Sequence, residues 1–444
     1  MKRLCSIIVG LTMMLLSAAS IAAQTAPVST DAQFIDQAGG MTVDDAVAIA
    51  LAKNAEVEAM RKEVMAGEAL IKQARIRPNP MLEVSGTKQT DGKDYSFMIQ
   101  GEYPLELGGR RGARIRIAER ELDVRRLALA ERERQLAAEV RLKFGEAFAA
   151  VSKVVFVDER VAMNVEHVEL VAAQVREGRR APLEESMERV EFNRLRAERE
   201  RIVGDAEVRM FELKNLLGMT PDTQLRLKGD LLKLMEEAVL RVSDATETAL
   251  RTRPDLAGAR ALEQLAAARL DQAKSEGRID ADVMLGYQRI KTGFDLSGFD
   301  EAGILMPISM RANFFTFGVR LNLPVSNRNQ GMVESAIAEQ DAARSRREFG
   351  ELTIRREVAA AFARYERSRR AMEIYRVGVR EQAAANVDVV RQTYELGQKT
   401  LLDYIAEHHR FMETEINYID AQLEAYLSMV EMLKAANAPE LIKK

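Results

Sequence analysis

The residues that most often do chemistry are scarce here. The chain of 444 residues has three histidines, His167, His408 and His409, and one cysteine, Cys5. A metal centre needs three or four ligands at defined spacings. His408 and His409 are adjacent, so on a helix they point in different directions, and Cys5 stands near the amino terminus. No metal-ligand spacing results. Gly108 and Gly109 lack the Gly-Lys-Ser/Thr of a phosphate-binding loop, and no nucleophile stands beside a base. The 21 methionines are scattered and read as core filler. The arginine pairs Arg110–Arg111, Arg179–Arg180 and Arg369–Arg370 read as solvated helix faces or ends. The first pair lies where a strand would meet a helix, within reach of a lipid headgroup. Glu184 and Asp403 occupy matching positions in two similar stretches, each six positions after a glycine, Gly178 and Gly397. The expectation is no enzyme, no cofactor and no dedicated metal site.

Those glycines belong to a repeat that organises the chain. Residues 175–184 (VREGRRAPLE) echo 394–403 (YELGQKTLLD), and 103–119 echo 323–339. Gly112 to Gly178 and Gly331 to Gly397 both span 66 positions, with apolar residues recurring every three to four places. Leu122, Leu129, Leu136, Val140 and Phe144 carry this period in the first segment, and Leu352, Val358, Phe362 and Tyr365 in the second. Such a period predicts two equal helical rods, each roughly 100 Å long at 1.5 Å per residue. A second helical run follows each glycine, Leu183 to Leu217 and Leu401 to Ala436, so each half folds as an antiparallel hairpin turning near Gly178 or Gly397.

Ahead of each rod the period changes to two. Tyr95, Phe97, Ile99 and Tyr103 alternate with polar neighbours, as do Phe315, Phe317, Val319 and Leu321, which predicts strands. Polar loops are expected near 88–94 and, longer, near 289–303. Residues 80–105 and 280–325 hold 9 of the 24 Phe and Tyr, an enrichment that fits the aromatic girdles of a membrane barrel. After the amino terminus no run of 18 apolar residues exists, so a barrel is the remaining way to span a bilayer.

The chain opens with Lys2 and Arg3, an apolar stretch from Ile7 to Ala19, and small residues at Ala22 and Ala23. That order predicts a signal peptide at 1–23, cleaved without lipidation because Cys5 precedes the apolar core. The mature chain then carries 63 basic against 68 acidic residues, which gives no electrostatic case for nucleic acid. The expected organisation is a first repeat at 24–217 with strands about 80–105 and a hairpin at 112–217. A linker or equatorial segment at 218–242 follows, then a second repeat at 243–436 with strands about 280–325 and a hairpin at 331–436. The tail, 437–444, is expected to be unstructured or peripheral.

The stretches QARIRPNP (73–80), YPLELGGRRGARIRIAE (103–119), LPVSNRNQG (323–331) and YELGQKTLLDYIAE (394–407), in this order and spacing, resemble the TolC family of outer-membrane efflux proteins over about residues 41–436. The first three are similar to the branch serving heavy-metal cation exporters of the resistance-nodulation-division class. The resemblance implies a mainly helical fold with a β-barrel portion. Four strands per chain enter a twelve-stranded barrel of a homotrimer in outer-membrane lipid, and antiparallel coiled-coil helices form a periplasmic tunnel. A periplasmic adaptor and an inner-membrane pump are the implied partners. The resemblance places Glu184 and Asp403 at or near the aperture, with Tyr394 and Lys399 as a latch reaching toward Glu184. The chain departs from some relatives in lacking a lipidation cysteine, in carrying Ala406 for a second aspartate, and in Pro182 within the first turn.

Three copies of Asp403 near a symmetry axis make a negative ring that concentrates cations and repels anions. As plain residues, Glu184 and Asp403 equally suit solvated helix N-termini, where the helix dipole favours acids. An outer channel for type I protein secretion has the same architecture. A secreted coiled-coil scaffold without a barrel is the reading from a different class.

Overall fold

A computed structural model describes residues 34–236 and 242–442. The expected leader and part of the 218–242 linker lie outside the described residues. The first half begins with α1 (Val43–Lys53), started by a capping box in which Thr42 and Asp45 satisfy each other's backbone N–H. Asn54 ends α1 and caps α2 (Ala55–Arg75) by accepting from the amides of Glu56 and Val57. Strands β1 (Met81–Lys88) and β2 (Tyr95–Pro104) follow, then α3 (Arg110–Arg176) and α4 (Pro182–Leu216).

The second half has the same order: α6 (Val242–Thr252), α7 (Pro254–Glu276), β3 (Asp280–Phe299), β4 (Leu305–Asn322), α8 (Gln330–Glu373), α9 (Arg380–Glu395) and α10 (Leu401–Ala436). Between the halves lies a short α5 (Leu231–Glu236). The stretch before it packs into the core. Leu227 is fully buried and bridges Ile35 and Met41 through parallel backbone pairs.

The core sits midway along the hairpins, where α1, α4 and α10 pack on α3 through Val47, Phe144, Leu213 and Met432, all buried. Gly145 lets α10 come close: a Cβ there would stand 2.5 Å from the Tyr426 ring. Arg141, buried beside it, bonds the Leu441 carbonyl at 3.0 Å, the Glu440 carbonyl at 2.7 Å and Asp44 Oδ1 at 2.5 Å. That full set of acceptors is what a buried guanidinium requires. It also corrects the expectation of a loose tail. Asn437 turns the chain with φ 52°, and Leu441 in a 3₁₀ turn (Pro439–Ile442) is wholly buried.

The four strands form one antiparallel sheet in the order β1-β2-β3-β4, so β2 and β3 join the two halves. The register puts Val84, Ile99, Tyr287 and Phe315 across from one another, with Leu285, Phe317 and Val319 on the same face. Ser85, Met98, Gln100, Gln288, Thr316 and Arg320 occupy the other. Apolar side chains on the first face are exposed, Phe315 and Phe317 by 82% and 84%, a pattern that marks a surface covered by lipid or by a partner. The outer edges of β1 and β4 have no strand partner among the described residues. The long polar loop expected near 289–303 is mostly strand. β3 continues to Phe299, where Ile290, Phe294 and Leu296 alternate in the opposite phase to Leu285 and Tyr287, with a register shift between Gly293 and Ser297.

The rods differ as well. α3 is one helix of 67 residues, but the second rod is broken by a π-helical turn at Ile374–Val379 between α8 and α9. Gly378 and the β-branched Ile374, Val377 and Val379 are weak α formers, and the ladder widens there.

Candidate functional site

The far ends of both hairpins from the sheet hold the sequence-marked residues. At each, the long helix ends in a glycine of positive φ, 74° at Gly178 and 73° at Gly397. The turns match bond for bond: Arg179 N donates to Gln174 O at 2.9 Å, and Gln398 N to Thr393 O at 2.9 Å. This is the helix-ending geometry that only glycine adopts without strain. A Cβ at either position would meet nothing within 4 Å, so backbone conformation and not crowding selects glycine.

The return helices start differently. α10 opens with a capping box, Thr400 N and Oγ1 donating to Asp403 Oδ2 at 3.0 and 2.8 Å. Those bonds, with a smaller contribution from the Lys399 charge, hold the Asp403 carboxyl below its ordinary pKa. α4 has no side-chain cap and carries Pro182 in its first turn, which needs no amide partner. Glu184 is therefore free to reach outward. Its Oε2 accepts from Tyr394 Oη at 3.0 Å and from Arg180 Nη1 at 3.3 Å, and the Arg180 guanidinium lies 4.8 Å from the Tyr394 ring centre. Arg180 also contacts the Tyr394 hydroxyl directly. Burial pushes the Tyr394 phenol up to about 12, against the opposing pull of Arg180. The phenol stays protonated and remains a donor.

Tyr394 and Glu184 are thus brought together, while Lys399 is exposed and has no carboxylate within ion-pair distance among the described residues. The cation facing Glu184 is Arg180, read from the sequence as a solvated helix end. Its four-residue spacing from Glu184 was the available signal. Behind this contact is a layer that the sequence pattern does not mark. Tyr404 stacks on Tyr394 at 5.8 Å and 5°, with His408 and His167 each 6.1 Å away. His167 Nε2 lies 3.4 Å from Oε1 of Glu188, whose side chain is 4% exposed. Burial, aided by Arg160 and His409, drives His408 down to about 4, so it is neutral near pH 7.

Nothing in this arrangement pairs a nucleophile with a base. It ties one hairpin to the other through a few polar contacts. A family model described as outer membrane efflux protein matches residues 46–219 and 245–438, which together are most of the chain. The chain belongs to the outer membrane efflux protein family. Over 391 residues it is 24% identical to the cobalt-zinc-cadmium resistance protein CzcC of Cupriavidus metallidurans, covering 88% of each. Its fold is similar to a membrane protein from Pseudomonas aeruginosa, with TM-score 0.72, 20% identity and coverage of 91% of this chain and 93% of that one. It is also similar to CusC, with TM-score 0.73, 16% identity and coverage of 93% and 95%. Family membership identifies an outer membrane efflux protein, and these structures show that its fold is shared.

Proposed function

We propose that the chain is the outer-membrane duct of a tripartite efflux machine, exporting heavy-metal cations through a tunnel gated at the hairpin tips. The observation that carries this is the sheet. One face carries exposed Phe315, Phe317 and Val319, and the outer edges of β1 and β4 have no strand partner among the described residues. In lipid, open edges are admissible only if neighbouring copies close them. Three copies supply twelve strands, enough for one barrel, and α3 at about 1.5 Å per residue extends roughly 100 Å away from it. The two matching halves, by this reading, arose by duplication and alternate around the tunnel.

Cation cargo is supported by the relative's printed name, a cobalt-zinc-cadmium resistance protein. It is also supported by exposed Asp403 at the tip, where a ring of copies attracts cations. The gate is the Tyr394–Glu184–Arg180 contact, which a periplasmic adaptor can break because partly solvated polar contacts are individually weak. An inner-membrane pump supplies cargo and energy.

The test is conductance of the purified mature protein in planar bilayers. A small, cation-selective conductance that loses selectivity in Asp403→Asn supports the reading. Failure to insert at all overturns it in favour of a secreted scaffold.

A further inference from the structure

Charge is divided unevenly between the two faces of the sheet. Strands β1 to β4 contain five basic residues, Lys88, Arg289, Lys291, Arg311 and Arg320, and the first four share the face of Phe315 and Phe317. Lys88, Tyr95, Lys291 and Arg311 stand across from one another on one rung, and Gly86, Phe97, Arg289 and Asn313 on the next. The rung after that, Val84, Ile99, Tyr287 and Phe315, begins the apolar band. The acids within the shared register, Glu83, Glu102, Asp280 and Asp282, are all on the opposite face, where Glu102 pairs with Arg320. The four cations have no carboxylate within ion-pair distance among the described residues, and Lys88, Arg289 and Arg311 are exposed. We infer that this cluster binds the phosphate groups of an outer-leaflet lipid, a phosphorylated glycolipid whose acyl chains lie along the apolar band. This rests on the duct reading, which sets the end of the sheet remote from the helices at the outer surface.

The position fits a headgroup. From Leu321 to Arg311 is ten positions along β4, and about 9 to 11 residues of tilted strand cross the hydrocarbon layer. Tyr287 Oη donates to Asn313 Oδ1 at 2.9 Å, so the phenol points out of the apolar band toward the basic rungs, as a tyrosine at a membrane interface does. The charges also call for an anion. Lys291 lies directly opposite Arg311, and Arg289 is diagonal to Arg311. Like charges so placed destabilise a sheet unless a counter-ion joins them. A phosphomonoester carries about −1.5 to −2 charges and three acceptor oxygens, enough for two or three of these donors at once, and a guanidinium can meet it bidentately. A phosphodiester headgroup has a single negative charge and satisfies fewer of them. At the helix side of the same face the rungs hold Tyr103, Val283 and Val319, then Ala281 and Leu321, with no charge among them. The preference for phosphate therefore belongs to one leaflet.

The experiment measures binding of purified lipid A to the full mature protein in neutral detergent by native mass spectrometry, beside dephosphorylated lipid A and phosphatidylglycerol. Wild type should hold lipid A at least about tenfold more tightly than either, the yield of one charge-assisted hydrogen bond, and high salt should reduce the difference. The preference should vanish in the double variant Lys291→Gln, Arg311→Gln and persist in Arg320→Gln, on the other face. Without lipid, the double variant should melt no lower than wild type, because a repulsion has been removed. A lower melting temperature would overturn the electrostatic reading of the rung, and the comparison of lipids on wild type needs no variant. Equal affinity for lipid A and its dephosphorylated form overturns the inference. So does equal affinity for phosphatidylglycerol, which would mean unselective attraction to anionic lipid. Either result leaves bilayer conductance intact, whereas failure to insert is the failure of the duct reading itself.

Discussion

At the first hairpin tip Glu184 leaves its own helix and meets Tyr394 across the hairpin boundary. At the second, Asp403 folds back onto Thr400 and caps α10. The two acids occupy matching sequence positions after matching glycines, yet the residue at the start of each return helix decides what the carboxylate does. Pro182 removes the need for a cap and frees Glu184, whereas Thr400 completes a capping box and holds Asp403. Matching backbone turns thus carry one contact between the hairpins and one local one. The rods behind them diverge in the same sense. α3 is continuous with many buried residues, and α9, beyond the π turn, has none among those described.

The backbone part of this comparison predicts equality. Gly178→Val and Gly397→Val should each destabilise the local turn by about 2 kcal/mol, since a β-branched residue is forced left-handed and neither site has a neighbour to blame. Amide exchange at the two tips would measure it, and unequal losses would mean that the turns are not equivalent. The acid part predicts inequality. Tyr394→Phe should raise channel conductance severalfold through loss of a charge-assisted bond of ~1 to 2 kcal/mol, reduced by its partial exposure.

Thr400→Ala removes a helix cap, worth about 1 kcal/mol, and should lower thermal stability while leaving gating nearly unchanged. The same cap has a pH signature. Because the Asp403 pKa is lowered in the folded chain, its stabilisation is complete above the ordinary carboxylate value of about 3.9 and disappears as pH falls through the folded value. An Asp403→Asn variant should lose that acid-range dependence in a melting series. The smallest effect belongs to Lys399→Ala, expected within about 0.5 kcal/mol of wild type because the side chain is exposed and without an ion-pair partner among the described residues. If it opened the channel as Tyr394→Phe does, the gate would need a contact supplied by another copy.

Periodicity was legible wherever one face of an element is consistently apolar. The rods announced themselves through Leu136, Val140 and Phe144, and the strands through Phe315, Phe317 and Val319. The π turn was not legible, because the composition of Ile374–Val379 is that of an ordinary apolar helix turn apart from Gly378. Nor was the full length of β3, where Lys291, Thr292 and Asp295 give a strand the composition of a loop. The bond between Tyr394 and Glu184 spans 210 positions and no local pattern encodes it, so only family resemblance suggested it. Arg180 was hidden by its type, because an arginine beside a turn is ordinarily solvated. His167 and Glu188 approach to 3.4 Å between antiparallel helices, a relation set by how the hairpin closes and not by spacing along either helix.

The open edges of β1 and β4 have a genetic consequence. If each copy must receive its neighbour's strand to complete its own backbone bonding, closure of the ring tolerates no defective member. A proline placed in mid-β4 would deny the next copy its partner amides, and one such subunit would spoil every ring it enters. Damage to this edge should therefore behave as dominant in a cell that also makes the sound protein. Damage confined to the interior of a hairpin, where the chain fails to fold and never reaches the membrane, should behave as recessive.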